Sequence, residues 1–124
     1  MNIVDSSGWL EFFADGPNAT FFAPIITDLE HLIVPEISVY EVFKRVLQQR
    51  SEADALQAVA VMAQGQIVEL NQNLTLSAAK LSIDLRLPMA DSMILATAQL
   101  HGATLWTQDA DFKDVAGVQY VEKK

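Results

Sequence analysis

The stretch Leu87 to Phe112, LPMADSMILATAQLHGATLWTQDADF, constrains the fold more than any other part of the chain. A loop ends at Pro88, and a helix follows with Asp91 in its first turn. Gly102 stops that helix, Ala103 to Trp106 form an apolar strand, and the strand ends in a loop carrying Asp109 and Asp111. Two acidic stations therefore bracket one helix and one strand. In open α/β sheets ligands bind beyond the carboxyl ends of the strands, so a strand finishing in TQDAD carries its acids to the usual place for chemistry. A plainer role for the same residues is as helix cap, dipole partner or turn former, since Asp favours all three.

The rest of the chain alternates in the same way. Asn2 to Val4 reads as a strand ending at Asp5, and Ser6, Ser7 and Gly8 turn the chain into a helix from Gly8 to Ala14. Asn18 is placed to cap a second short helix, which Pro24 limits or kinks. Thr27 to Glu30 connects to a second strand, His31 to Val34, closed by Pro35. A strongly periodic helix follows, its apolar face set by Ile37, Tyr40, Phe43 and Leu47 and widened by Val39, Val42 and Val46. Glu41 lies inside it, with Lys44, Arg45 and Arg50 after it as the main basic cluster. Those three suit either a solvated helix end or a weak contact to a nucleic-acid backbone.

Ser51 and Asp54 resemble a capping box opening an alanine-rich helix to Gln64, which Gly65 stops. Ile67 to Leu70 read as a third strand, Asn73 as the cap of a helix reaching Leu87, and Val118 to Val121 as a last strand. Strands alternating with helices mean a three-layer α/β/α fold around a mainly parallel sheet of four or five strands. At 124 residues this is a single domain spanning the whole chain.

Composition narrows the chemistry. There is no cysteine and only two histidines, His31 and His101, so neither a thiolate nucleophile nor a zinc ligand set is present. No apolar run nears the roughly 18 residues of a membrane span. The N-terminus lacks the basic region and apolar core of a signal peptide, which implies a cytoplasmic protein without membrane contact. A formal net charge of −8 opposes nucleic-acid binding by general attraction. It does not oppose a nuclease, because clustered carboxylates supply much of that charge and bound divalent cations reverse the local field.

Parallel strands place their carboxyl ends on one edge. Asp5 and Asp109 follow two such ends, and Glu41 and Asp91 lie early in helices leaving that edge, so the four are able to converge. Three or four carboxylates without histidine repel one another unless a hard cation such as Mg2+ or Mn2+ is bound. Hydrolysis of a phosphodiester suits such a site.

The pattern resembles the PIN-domain ribonucleases, and among them the VapC toxins of bacterial toxin-antitoxin pairs. The resemblance spans essentially the whole chain and rests on IVDSSGWLEFF, ISVYEVFKRV and LPMADSMILATAQLHGATLWTQDADF. It implies a PIN-like domain whose acids are Asp5, with Ser6 or Ser7 close behind it, Glu41, Asp91, and Asp109 or Asp111. Of the last pair Asp109 is preferred: it is nearer the strand end, where the sheet positions it, with Thr107 as a supporting hydroxyl, whereas Asp111 sits farther into the loop. The resemblance further implies Mg2+-dependent endoribonuclease activity with Asp5, Asp91 and Asp109 as metal ligands. It also implies a homodimer, and inhibition by a small VapB-like antitoxin laid along a groove. Trp9, Phe12, Phe13, Phe21 and Phe22 are candidates for that groove as well as for the core.

Two other functions fit parts of the pattern. A phosphoacceptor domain of the response-regulator type also uses strand-end acids and Mg2+, but needs a cation for the phosphate, and no lysine is placed for it behind the fourth or fifth strand. A non-catalytic PIN-like protein-binding module would keep the fold alone, yet all four acidic positions are filled.

Overall fold

A computed structural model describes residues 1–124. The chain forms β1 (Asn2–Val4), α1 (Ser6–Phe13), α2 (Ala19–Ile26), β2 (Leu32–Pro35), α3 (Glu36–Gln49), α4 (Glu52–Met62), β3 (Gln66–Val68), α5 (Gln72–Leu85), α6 (Met89–Leu100), β4 (Thr104–Thr107) and β5 (Val118–Tyr120). The strands make one sheet in the order β3-β2-β1-β4-β5, and every neighbouring pair is parallel. The chain thus winds outward from β1 in one direction to β3 and in the other to β5. The reversal falls between β1 and β4, where an open α/β sheet leaves a crevice at its carboxyl edge.

The alternation of side chains along these short strands sorts the core into two layers. Val4, Leu32 and Val34 face α1 to α4 and join Trp9, Phe22, Ile26, Val42, Val46, Ala58 and Met62. Ile3, Ile33 and Leu105 face the other way and join Leu87, Ile94, Leu95, Ala98 and Phe112. A smaller cluster of Leu74, Ala78 and Ala96 locks α5 to α6. Helices on both faces of a parallel sheet give the three-layer arrangement, and burial on both sides explains why the central strands β1 and β2 are mostly aliphatic. Gly8 sets how closely α1 approaches β1 and α2: a Cβ there would lie 2.6 Å from both the Phe22 ring and Val4 Cγ1.

Several local expectations need correction. On α3 the buried stripe is Ser38, Val42 and Val46 at i, i+4, i+8, whereas Tyr40 is 60% and Leu47 44% exposed. The helix carries so many apolar residues that periodicity defined a broad face but not its centre. Asn71 rather than Asn73 caps α5, its Oδ1 accepting from the Leu74 amide at 3.0 Å. Ser51 does cap α4, accepting from the Asp54 amide at 3.1 Å. Asn18 does not cap α2 with its side chain, which is used elsewhere. Pro35 lies within β2 rather than behind it, and β3 begins one residue earlier than expected, at Gln66. Trp9 and Phe22 are wholly buried and belong to the core, which removes them from any partner surface; Phe12, Phe13 and Phe21 are half-buried. No helix is long and apolar enough to cross a membrane.

Candidate functional site

Asp5 leaves β1 at the crevice and stands at the N-cap position of α1, yet its carboxylate makes no capping hydrogen bond. It turns instead into the sheet edge. There Asp5 Oδ2 accepts from Ser7 Oγ at 2.8 Å and from Thr107 Oγ1, at the end of β4, at 2.9 Å. The β1–β4 register delivers this contact: Val4 pairs with Trp106, and the Asp5 amide donates to the Trp106 carbonyl at 2.9 Å, so Asp5 and Thr107 emerge side by side. Thr107 Oγ1 also accepts from the Asp109 amide at 2.9 Å, tying the following loop to the same point. Ser6 Oγ donates to Glu41 Oε1 at 2.7 Å, which brings the α3 acid to the N-terminus of α1.

Asp91 lies in the first turn of α6, buried and without any hydrogen bond from the protein. Oxygens of Asp91, Asp109 and Asp111 lie within 4.8 Å of one another. Asp111 is not loosely placed. It is the middle residue of a 3-10 turn, Ala110–Phe112, in which its own amide donates to Asp109 Oδ1 at 2.9 Å and the last residue, Phe112, is wholly buried. Asp111 is exposed, whereas Asp109, nearer the strand end, is half-buried.

The electrostatics confirm convergence. Burial, above all, pushes Asp5 up from the ordinary 3.8 to about 6, against the lowering effect of its two hydroxyl donors, with the charges of Asp109 and Glu41 adding to the rise. Asp91 is pushed up to about 8, first by burial and then by the charges of Asp5, Asp109, Asp111 and Glu41. No lysine, arginine or histidine pairs with any of these acids; the sole ion pair is exposed, between His31 and Asp28. Five carboxylates held together without a counter-charge are a poor structural device, and a fitting one for a hard cation. Asp91, Asp109 and Asp111 would hold such a cation by drawing their oxygens closer together than the 4.8 Å within which they now lie.

None of Lys44, Arg45 and Arg50 forms an ion pair with these acids. Lys44 stacks over the Tyr40 ring at 5.8 Å, and Arg50 stands at the end of α3, roughly 13 Å along the axis from Glu41 at 1.5 Å per residue. Two features were missed in the sequence. Asn18 and Gln108, both buried, join through Asn18 Nδ2 and Gln108 Oε1 at 2.9 Å, and Asn18 Nδ2 also donates to the Glu122 carbonyl at 3.0 Å. They strap the loop behind β4 to α2 and to the chain beyond β5. Lys123, three residues past β5, lines an open cleft of about 480 Å³ together with Ser7, Asp109 and Tyr120. This corrects the expectation that no lysine behind the last strands is placed near the acids. A smaller hollow of about 270 Å³ between α1, α3 and α4 carries only Asp54 as an acid, and lies away from the cluster.

A family model described as PIN domain matches residues 3–118. No curated protein sequence matches the chain. Among solved structures, a toxin-antitoxin complex from Klebsiella pneumoniae aligns with a TM-score of 0.79 at 23% identity, covering 99% of this chain and 100% of that one. VapC20 from Mycobacterium tuberculosis, described as a sarcin-ricin loop cleaving toxin, aligns at 0.76 with 14% identity, covering 94% and 95%. FitAcB from Neisseria gonorrhoeae aligns at 0.75 with 20% identity, covering 98% and 97%. At such identities these structures speak for the fold, and the family model, which takes in all five acids, speaks for descent. The chain belongs to the PIN domain family.

Proposed function

We propose that residues 1–124 form one PIN-like domain acting in the cytoplasm as a Mg2+-dependent endoribonuclease, the toxin of a VapBC-type toxin-antitoxin pair. The observation that carries this reading is Asp91: a buried acid with neither hydrogen bond nor cation, surrounded by four further acids. Asp5, Asp91 and Asp109 would hold the metal, with Asp111 in reach and Glu41 as a fourth catalytic acid. When bound, the cation supplies Lewis acidity toward water and phosphate. The chain's own contribution is placement. Ser7 and Thr107 fix the Asp5 carboxylate, Ser6 fixes Glu41, and the Thr107 hydroxyl positions Asp109 through its amide.

The solved complexes of similar fold favour a small antitoxin as partner, and the hollow lined by Leu10, Phe13, Val46 and Val61, with Arg50 at its rim, would accept an apolar helix or tail. A second copy of the chain would cover the exposed Leu76, Ile83 and Met89; light scattering that finds only a 13.7 kDa particle removes the homodimer.

The test is cleavage of single-stranded RNA by the purified chain in Mg2+ or Mn2+. Activity should vanish in EDTA, return with Mg2+, and be suppressed by the small protein encoded beside it. Cleavage undiminished in EDTA overturns the mechanism. Labelling of Asp5 by acetyl phosphate would support a phosphoacceptor instead, a role poorly suited to an acid that is 2% exposed and already bonded to two hydroxyls.

A further inference from the structure

The cleft beside Asp109 is used by nothing described so far. It opens at the β5 edge of the sheet, beside the acids, and Ser7, Gln108, Asp109, Ala110, Tyr120, Glu122 and Lys123 line it, so that Lys123 is its one cation. Tyr120 is the register partner of Thr107 across the parallel β4–β5 pair, and the Val121 amide donates to the Thr107 carbonyl at 3.0 Å. Residues in register in a sheet project from the same face; Leu105 and Val118, two positions earlier, pack in the same core layer. Tyr120 therefore stands on the face that carries Thr107 Oγ1 and the Asp5 carboxylate, one strand spacing of about 4.8 Å from Thr107 and two from Asp5. It is half-buried. Gln108 does not swing, because Asn18 holds its amide oxygen.

We propose that this cleft is a subsite for the nucleotide next to the scissile phosphate, with Tyr120 stacking on the base and Lys123 meeting the adjoining phosphate. The proposal rests on the ribonuclease reading and adds to it where the chain gets its hold on RNA. Unpaired bases are gripped chiefly by stacking on aromatic rings, and an aromatic residue at the rim of an acidic site does this without adding charge. The phosphate beside the cut still needs a cation that the five acids do not neutralise. Lys123 makes no ion pair and lines the same cleft as Asp109. Lys44, Arg45 and Arg50 are absent from its walls.

The experiment uses the full chain with fluorescent single-stranded RNA oligonucleotides that vary the bases flanking one cut. Binding is read by anisotropy in an Asp91→Asn background and turnover in Mg2+. Tyr120→Ala should weaken binding about 5- to 30-fold, raise KM more than it lowers kcat, and flatten the base preference on one side of the cut, while Tyr120→Phe stays within about twofold. Lys123→Ala should weaken binding several-fold and lower its salt dependence by about one phosphate contact. If wild type cleaves RNA and Tyr120→Ala and Lys123→Ala match it in KM and cut pattern, the subsite is overturned and the nuclease stands. If wild type neither binds nor cleaves RNA, both fall. Should Tyr120→Ala lose its circular-dichroism spectrum, Tyr120→Leu and Lys123→Ala decide by the same readouts.

Discussion

Asp5 and Asp91 face one another across the site, and they are held in opposite ways. Asp5 is the more deeply buried, yet two hydroxyl donors restrain its rise to about 6, whereas Asp91, slightly more open and bonded to nothing, is driven to about 8. Hydrogen bonds to a carboxylate favour its charged form and fix its orientation; burial among other acids does the reverse. One acid is thus built into the sheet edge, and the other is left in want of a partner. A divalent cation would satisfy Asp91 far more than Asp5.

The largest effect that tests this contrast is at Asp91. Asp91→Asn should lower RNA cleavage about a thousandfold, as loss of a group stabilising transition-state charge does. The same change should stabilise the metal-free fold. Unfolded, Asp91 ionises near 3.8; folded, near 8. Between those values the folded state keeps a proton that the unfolded state has lost, so the stability of the wild type falls as pH rises through that window. Urea unfolding in EDTA should show Asp91→Asn more stable at pH 8 by about 3 kcal/mol, less than the roughly 5 kcal/mol of the full shift because solvent at the open side of the site screens the charge, with the gap closing toward pH 4. A variant less stable than wild type at pH 8 would mean that Asp91 has a hidden partner.

A smaller effect separates the two acids behind β4. The charge of Asp109 raises both Asp5 and Asp91, whereas that of Asp111 bears on Asp91 alone. Asp109→Asn should therefore cost about tenfold more activity than Asp111→Asn, assayed side by side over a Mg2+ series. The opposite ranking would hand the ligand role to the 3-10 turn.

The smallest effect strips Asp5 of its restraint. Thr107→Val removes one donor to Asp5 and the acceptor for the Asp109 amide, at a cost of about 1–2 kcal/mol in stability. Carbon-detected NMR titration of the metal-free protein should find Asp5 ionising above its wild-type value of about 6, closer to Asp91. An unchanged Asp5 would show that Ser7 alone suffices.

Much of this was legible in the sequence for physical reasons that also mark its limits. Short, largely apolar strands alternating with helices announced the parallel sheet, and strand-end acids announced the edge on which they meet. What composition and spacing did not show was contact between distant elements. Asn18 looked like a cap because asparagine at a helix start usually is one; only the fold reveals Gln108 and the Glu122 carbonyl waiting for it. Tyr120 reads only as part of a last short strand and Lys123 carries no signal of its own, since their neighbourhood to Asp109 comes from a register between β4 and β5 that no local pattern encodes. On α3 the abundance of valine and aromatic residues blurred the stripe that is in fact buried.

The bond from Thr107 to Asp5 joins residues 102 positions apart. On a ribosome adding roughly 5–20 residues each second, β1 therefore waits roughly 5–20 s for the strand that completes its carboxyl corner, and β5 is later still. Until then Asp5 has only Ser7 for company, and Asp91 has no Asp109 to meet. An unfinished copy of this chain, whether stalled, truncated or still being made, carries its acids in pieces. The corner that holds its acids can form only after β4 has been made, so that the order of the strands in the sheet acts as a clock on the nascent protein.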